Sequence, residues 1–176
     1  IVLETGLQRF AVSNGDDAWP LHAGHVPAST ALGILGMPGM TAYFGMIDVA
    51  QLKAGDTVLV SAASGPVGSM VGQIARRKGA RAIGIAGGPK KCDWAVRHAR
   101  FDACIDYKIE SVDERLRELA PRGVDIYFDN TGGDILNTVV MGRHLAMHGS
   151  VILCGLIAQH NLKDAPRGPN LGPLMA

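Results

Sequence analysis

From residue 56 onward, short apolar runs alternate with longer stretches of helical pattern. The runs 57–62 (TVLVSA), 81–86 (RAIGIA), 103–106 (ACID), 124–129 (VDIYFD) and 150–154 (SVILC) are four to six residues long and rich in Val, Ile and Ala. Such runs read as strands buried on both faces. Between them, 66–78, 89–99, 111–120 and 134–146 have the length and spacing of helices. Strictly alternating short strands and helices predict right-handed βαβ units and a parallel sheet. Upstream the pattern is weaker. Residues 1–28 read as irregular, with a turn at Ser13-Asn14-Gly15-Asp16-Asp17 and breaks at Trp19-Pro20 and Val26-Pro27. Ser29 or Thr30 is placed to cap a helix through Leu35; Pro38-Gly39 is expected to interrupt it and Thr41–Gln51 to resume it. After Asn161 the chain reads as loop.

The turn after the first strand carries the most chemistry. Ala62-Ala63-Ser64-Gly65-Pro66-Val67-Gly68 has the form AxxGxxG, with Ala63 where the dinucleotide fingerprint has its first glycine. Gly65 and Gly68 leave room for a phosphate, and the free N–H groups of the following helix would point at it. The same spacing also serves a tight strand–helix turn without a ligand. With the alternation around it, the expected fold is α/β, a Rossmann-type doubly wound parallel sheet. The second strand ends in Ala86-Gly87-Gly88 with no carboxylate, and Pro89-Lys90-Lys91 follows. NAD-binding domains place Asp or Glu there for the ribose 2′-hydroxyl. An ammonium in its place attracts a 2′-phosphate instead, which favours NADP over NAD. The plainer reading, solvated lysines on an exposed first turn, has against it that lysines near a helix N-terminus oppose the macrodipole.

Composition narrows the remaining classes. At 176 residues, 47% apolar and 5% aromatic with 23 glycines, the chain suits one Val/Ile/Ala-rich α/β domain plus a flanking piece. A net charge of +1 suggests neither a nucleic-acid nor a membrane partner, and no apolar run is long enough for a span. Cys92, Cys104 and Cys154 are odd in number and read as reduced thiols of a cytoplasmic protein. The chain opens without Met and stops in a Pro/Gly-rich segment, as a piece of a longer protein would. The expected division is 1–28 as a flanking piece, 29–161 as the NADP-binding domain, and 162–176 as a tail.

Five separated motifs occur in order: Gly36-Met37-Pro38-Gly39-Met40-Thr41-Ala42-Tyr43-Phe44-Gly45, the Ala62–Gly68 turn, Asp106-Tyr107-Lys108, Phe128-Asp129-Asn130-Thr131-Gly132-Gly133, and Cys154-Gly155-Leu156-Ile157. From about residue 8 to about 161 the chain closely resembles the zinc-independent medium-chain reductases: prostaglandin reductases, alkenal double-bond reductases and curcumin-type reductases. The resemblance implies the cofactor domain of an NADPH-dependent enzyme. Such enzymes reduce the carbon–carbon double bond of α,β-unsaturated aldehydes or ketones. It implies that Gly65, Pro66, Val67 and Gly68 touch the pyrophosphate, that Lys91 pairs with the 2′-phosphate and that Tyr107 lies on the adenosine side. Asn130 would hold the cofactor near its ribose. Cys154, Gly155, Leu156, Ile157, Ala158, Gln159 and His160 would line the nicotinamide end, with Met37 and Thr41 near the ring.

The chain departs from the family pattern in three places. His160-Asn161 stands where relatives carry Tyr-Asn, so the family's hydrogen-bonding or proton-donating role would fall to His160. Imidazole can do both near neutrality. Arg97-His98-Ala99-Arg100-Phe101-Asp102 replaces a Leu-Gly-Phe-Asp helix ending and removes the glycine favoured there. The resemblance further implies that 1–28 is the remnant of an N-terminal catalytic, substrate-shaping domain and its linker, that 162–176 is a truncated tail, and that this piece alone holds cofactor without turnover.

A zinc-dependent alcohol dehydrogenase reading fails on ligand spacing, since no CxxC pair exists and the cysteines are scattered. His144 and His148 are four apart but straddle the expected end of helix 134–146, which makes them surface residues. No metal is expected, and no G-x-S-x-G or Walker A loop occurs. Two alternatives stay open: an NADPH-dependent quinone reductase, and a non-catalytic NADPH-binding module. A homodimer through an unpaired sheet edge also stays open.

Overall fold

The computed structural model describes residues 9–16, 18–21, 24–164 and 168. Five strands, β1 (Thr57–Ser61), β2 (Arg81–Ala86), β3 (Ala103–Asp106), β4 (Val124–Asp129) and β5 (Leu145–Leu153), form one sheet. Its order is β3-β2-β1-β4-β5, and every pairing is parallel. The helices are α1 (Met37–Phe44), α2 (Pro66–Arg77), α3 (Pro89–Arg97), α4 (Val112–Leu119) and α5 (Gly133–Met141). The expected doubly wound sheet is therefore the observed one.

The central strands β1, β2 and β4 are buried on both faces, and successive residues divide between two cores as a period of two requires. Val58 and Val60 pack with Ala42 of α1, Val71 and Ala75 of α2, and Ala95 of α3. Leu59, between them, packs with Ile83, Ile105, Leu116 of α4 and Val139 of α5 on the opposite face. At the start of α4, Ser111 caps the helix by accepting the Glu114 N–H.

Three local expectations need correction. Pro38 does not interrupt a helix: it sits in the opening turn of α1, where its missing N–H costs nothing, and Ala28–Leu32 is only a 3-10 turn. After Phe44 the helix widens into a π turn, Gly45–Val49, before the chain enters β1. The helix expected over 134–146 stops at Met141, because Arg143 adopts φ 56° and turns the chain directly into β5. That moves the two histidines. His144 is buried, contrary to the surface placement, with its Nε2 2.8 Å from Asp113 Oδ1 of α4. His148 lies exposed inside β5 at φ 65°, where the register against β4 slips between Val124 and Ile126. The expected turn at residues 13–17 lies partly outside the described residues; within it, Gly15 N–H donates to Ser13 Oγ and Asp16 N–H to Asn14 Oδ1. No helix among the described residues is long and apolar enough to cross a membrane.

Candidate functional site

Strand order reverses between β1 and β4, since the chain leaves β1 towards β2 and β3 but returns on the other side to form β4 and β5. The loops beyond the carboxyl ends of these two strands must diverge there, leaving a crevice. A groove of about 460 Å³ occupies that position. Its lining comprises Met37, Thr41, Ala62, Gly65, Pro66, Val67, Gly68, Asn130, Cys154, Gly155, Leu156, Ile157 and His160.

The floor is the turn from β1 into α2. Ala62 takes a left-handed φ of 49°, and its carbonyl accepts the Gly65 N–H at 2.8 Å. Gly68 then passes so close that a Cβ there would lie 2.4 Å from the Ala62 oxygen. Glycine at this position thus lets the helix seat tightly on the strand end. The first α2 bond anchored at the Gly65 carbonyl is taken by Ser69 N–H, so the Val67 and Gly68 amides precede the helical ladder, and both residues line the groove.

The second wall rests on a buried polar network that the sequence reading did not assign. Asp129, the last residue of β4, is fully buried. Its Oδ1 accepts from Ser61 Oγ at 2.8 Å, Tyr127 Oη at 2.8 Å, Thr131 N–H at 3.0 Å and Thr131 Oγ1 at 3.1 Å. Its Oδ2 accepts the Gly132 N–H at 2.9 Å. Ser61 in turn fixes the next residue: its Oγ accepts the Asn130 N–H and its carbonyl accepts Asn130 Nδ2, both at 2.8 Å. Asn130 is therefore clamped across β1 and β4 at the mouth of the crevice. Burial and the Asp129 charge push the Tyr127 phenol upward, which keeps it a hydrogen-bond donor. The signal available in sequence was a polar residue closing each of two apolar runs, Ser61 after Val58-Leu59-Val60 on β1 and Asp129 after Ile126-Tyr127-Phe128 on β4.

The segment after β5 closes the groove by lying on the turn that follows Asn130. The Asp129 carbonyl accepts the Cys154 and Gly155 N–H groups at 2.8 and 3.1 Å, and the Thr131 carbonyl accepts Ala158 N–H at 3.1 Å. Gly132 and Gly133 have φ 66° and 60°, and a Cβ on Gly132 would lie 2.8 Å from Leu156 Cδ2. Only glycine gives both the left-handed turn and the clearance. Burial, then the Asp129 charge, raises the Cys154 thiol above its ordinary range.

Of the residues singled out in sequence, Met37, Thr41, Gly65, Pro66, Val67, Gly68, Asn130, Cys154, Gly155, Leu156, Ile157 and His160 converge on this one groove. Ala158 and Gln159 do not line it. They sit over Gly133 and Gly132, respectively. Lys91 and Tyr107 also lie apart from it, at the carboxyl ends of β2 and β3. Lys91 is exposed in the first turn of α3 and forms no ion pair among the described residues. Tyr107 stands over Gly87, where a Cβ would approach its ring to 2.9 Å, and donates its N–H to the Ala86 carbonyl. Among the described residues, no group of three or more His, Cys, Asp or Glu side chains is arranged to hold a metal ion.

The chain is similar to known proteins. Residues 66–171 match the family model described as zinc-binding dehydrogenase. The chain is 41% identical to the NADPH-dependent curcumin reductase of Escherichia coli (strain K12), over 97% of this chain and 49% of that protein. It is 41% identical to prostaglandin reductase 1 of Bos taurus, over 98% of this chain and 53% of that protein. The structure of CurA from Vibrio vulnificus in complex with NADPH superimposes with a TM-score of 0.76 at 47% identity, over 84% of this chain and 43% of that one. The chain spans about half the length of the curated relatives it matches. By its family match and the agreement of fold and motifs, it belongs to the zinc-binding dehydrogenase family, among the medium-chain reductases that include curcumin and prostaglandin reductases.

Proposed function

We propose that this chain is the NADPH-binding part of a reductase that saturates the carbon–carbon double bond of α,β-unsaturated aldehydes and ketones. The observation that carries the proposal is the convergence of three separated segments, 37–41, 62–68 and 154–160, on one groove at the sheet's switch point. The groove fits a dinucleotide. Gly65 and Gly68 put no side chain against a pyrophosphate, the Val67 and Gly68 amides precede the helical ladder, and no carboxylate is among the lining residues. Relatives named for NADPH, and one solved with it, support the choice of cofactor.

In this reading Gly65–Gly68 hold the pyrophosphate and Asn130, clamped by Ser61, holds the neighbouring ribose. Met37, Thr41 and Cys154–Ile157 enclose the nicotinamide end, where bound NADPH supplies a hydride. Lys91 reaches the 2′-phosphate from the first turn of α3, with Tyr107 beside the adenosine. His160 is exposed at the groove edge, free to donate a hydrogen bond or a proton to the substrate oxygen as enolate character develops. The three free thiols fit a cytoplasmic setting. The small-molecule substrate would enter against a second domain contributed by residues outside 29–161.

Fluorescence titration with NADPH and NADH, on the chain and on Lys91→Ala, tests the binding half. NADPH should bind at least tenfold tighter than NADH, and the variant should lose that preference. Equal affinities for both cofactors would remove Lys91 from the site. For the catalytic half, NADPH oxidation is followed with an enal and with a quinone in a protein of the relatives' full length carrying this domain. Preference for the quinone would replace the proposed substrate class.

A further inference from the structure

Outside the groove, α3 and β3 bring two thiols together. Cys92 follows Lys91 in the opening turns of α3, and Cys104 lies in β3, twelve positions later. Their sulfurs are 2.8 Å apart, with Cys104 Sγ–H directed at Cys92 Sγ, and both cysteines are free and half-buried. The packing that creates the pair is specific. Gly84 of β2 has no side chain to fill the space beside Cys104, where a Cβ would lie 3.4 Å from its sulfur. Asp106, which follows Cys104 by two residues, accepts the Gly88 N–H at 2.8 Å and so holds the start of α3 to the end of β3. Neither thiol belongs to the groove lining, and Cys154 lies on the far side of β4.

A disulfide needs its sulfurs about 2.05 Å apart. The pair is therefore within less than an ångström of bonding distance, which a small side-chain adjustment can close. We propose that Cys92 and Cys104 constitute a reversible dithiol–disulfide site that reacts with low-molecular-weight disulfides. One thiolate attacks the incoming disulfide, forms a mixed disulfide on its own sulfur and expels one reagent thiolate. The second cysteine loses its proton and attacks the protein sulfur of that mixed disulfide, expelling the second reagent thiolate. Overall the two protein thiols are oxidised by two electrons, one protein S–S bond forms, and the reagent is reduced to two thiols. Burial, with the nearby Asp106 and Glu110 carboxylates contributing, holds both thiols above their ordinary range. Proximity, not a stabilised thiolate, makes the second step fast. The resulting bond ties the helix turn that presents Lys90 and Lys91 to the neighbouring strand.

The test needs no cofactor and so stands apart from the reading above. The folded chain is treated with 4,4′-dithiodipyridine, quenched in acid and digested with trypsin without reduction. The expected product is peptide CDWAVR (92–97) joined to FDACIDYK (101–108), with two thiopyridones released for that pair and Cys154 carried separately as its own adduct. Reduction should restore both peptides, and oxidation should raise Tm by about 5 °C. Cys104→Ser should leave a stable pyridyl adduct on Cys92. Separate adducts on Cys92 and Cys104 in the folded wild type, a bond from either to Cys154, or unreacted Cys92 and Cys104 after full reaction of Cys154 would each overturn the proposal.

Discussion

Replacing Asp129 with Asn tests whether one buried carboxylate holds the end of β4 and the wall of the groove together. The side chains have nearly the same volume, so packing changes little and hydrogen bonding carries the effect. Five bonds converge on Asp129, four on Oδ1 and one on Oδ2. If the amide oxygen of Asn faces the cluster at Oδ1, its NH₂ meets the Gly132 N–H, donor against donor. One buried donor left unpaired costs about 1–3 kcal/mol. The remaining bonds lose their charge assistance, and hydrogen bonds to charged groups contribute about 1.5–3 kcal/mol against about 1 for neutral ones. Removing the charge also removes the carboxylate's own desolvation cost, which offsets part of that loss. The net expectation is a loss of about 3–4 kcal/mol, a large share of the roughly 5–15 kcal/mol that stabilises a domain. Tm should fall by about 10 °C. Urea unfolding followed by far-UV circular dichroism measures it, with Tyr127→Phe as the partner in a double-mutant cycle. Tyr127→Phe alone should cost only about 1 kcal/mol, since Asp129 keeps its other donors. In the double mutant the two losses should fall short of additivity. A loss below 1 kcal/mol for Asp129→Asn, or strict additivity with Tyr127→Phe, would refute the network.

Ser61→Ala should cost about 1–2 kcal/mol by orphaning the Asn130 N–H, and should weaken NADPH binding several-fold in the same titration, because Asn130 loses half its clamp. Gly72→Ala would place a Cβ 2.3 Å from the Phe101 ring, so a denaturant midpoint equivalent to about 1–3 kcal/mol of lost stability is expected, with cofactor affinity unchanged. The hydrogen bond from His144, then Arg117, holds the Asp113 carboxyl below its ordinary value of 3.8. Because the folded value is the lower one, this contribution is complete above the unfolded pKa and is lost as pH falls through the folded one. Asp113→Asn should therefore flatten the acid limb of a Tm-versus-pH curve below about pH 4; an unchanged limb would remove the pair from the acid response.

How far the residues announced the structure depends on how local each signal was. The strands β1, β2 and β4 were legible because burial on both faces demands short apolar runs such as Val58-Leu59-Val60 and Ile126-Tyr127-Phe128. The Gly65–Gly68 turn was legible because its geometry depends on residues within one turn of each other. Pro38 misled because proline reads as a breaker unless the helix start is known independently, and here the start lies only one residue before it. The end of α5 misled for a related reason. Arg143 carries a left-handed turn that composition assigns to glycine, so the helix was read on through Ala146. The expected residues that line the groove come from α1, from the turn into α2, and from the segments that follow β4 and β5. Ala158 and Gln159 were expected there from the family resemblance, but a 3-10 turn at Ile157–Gln159 sets them over Gly133 and Gly132.

The least legible features are those that depend on register between distant strands. Ser61 and Asp129 are 68 positions apart, and they meet only because Val60 pairs with Phe128. Given that pairing, alternation along β4 assigns consecutive residues opposite duties. Asp129 turns inward and ties the strand end to Ser61 and Tyr127, while Asn130 faces the crevice and takes its position from the same serine. Stability and recognition are thus adjacent in sequence yet joined through a hydroxyl on another strand. Damage at Asp129 should appear first in unfolding, damage at Asn130 first in binding, and damage at Ser61 in both. That ordering is what distinguishes a shared scaffold from two independent clusters.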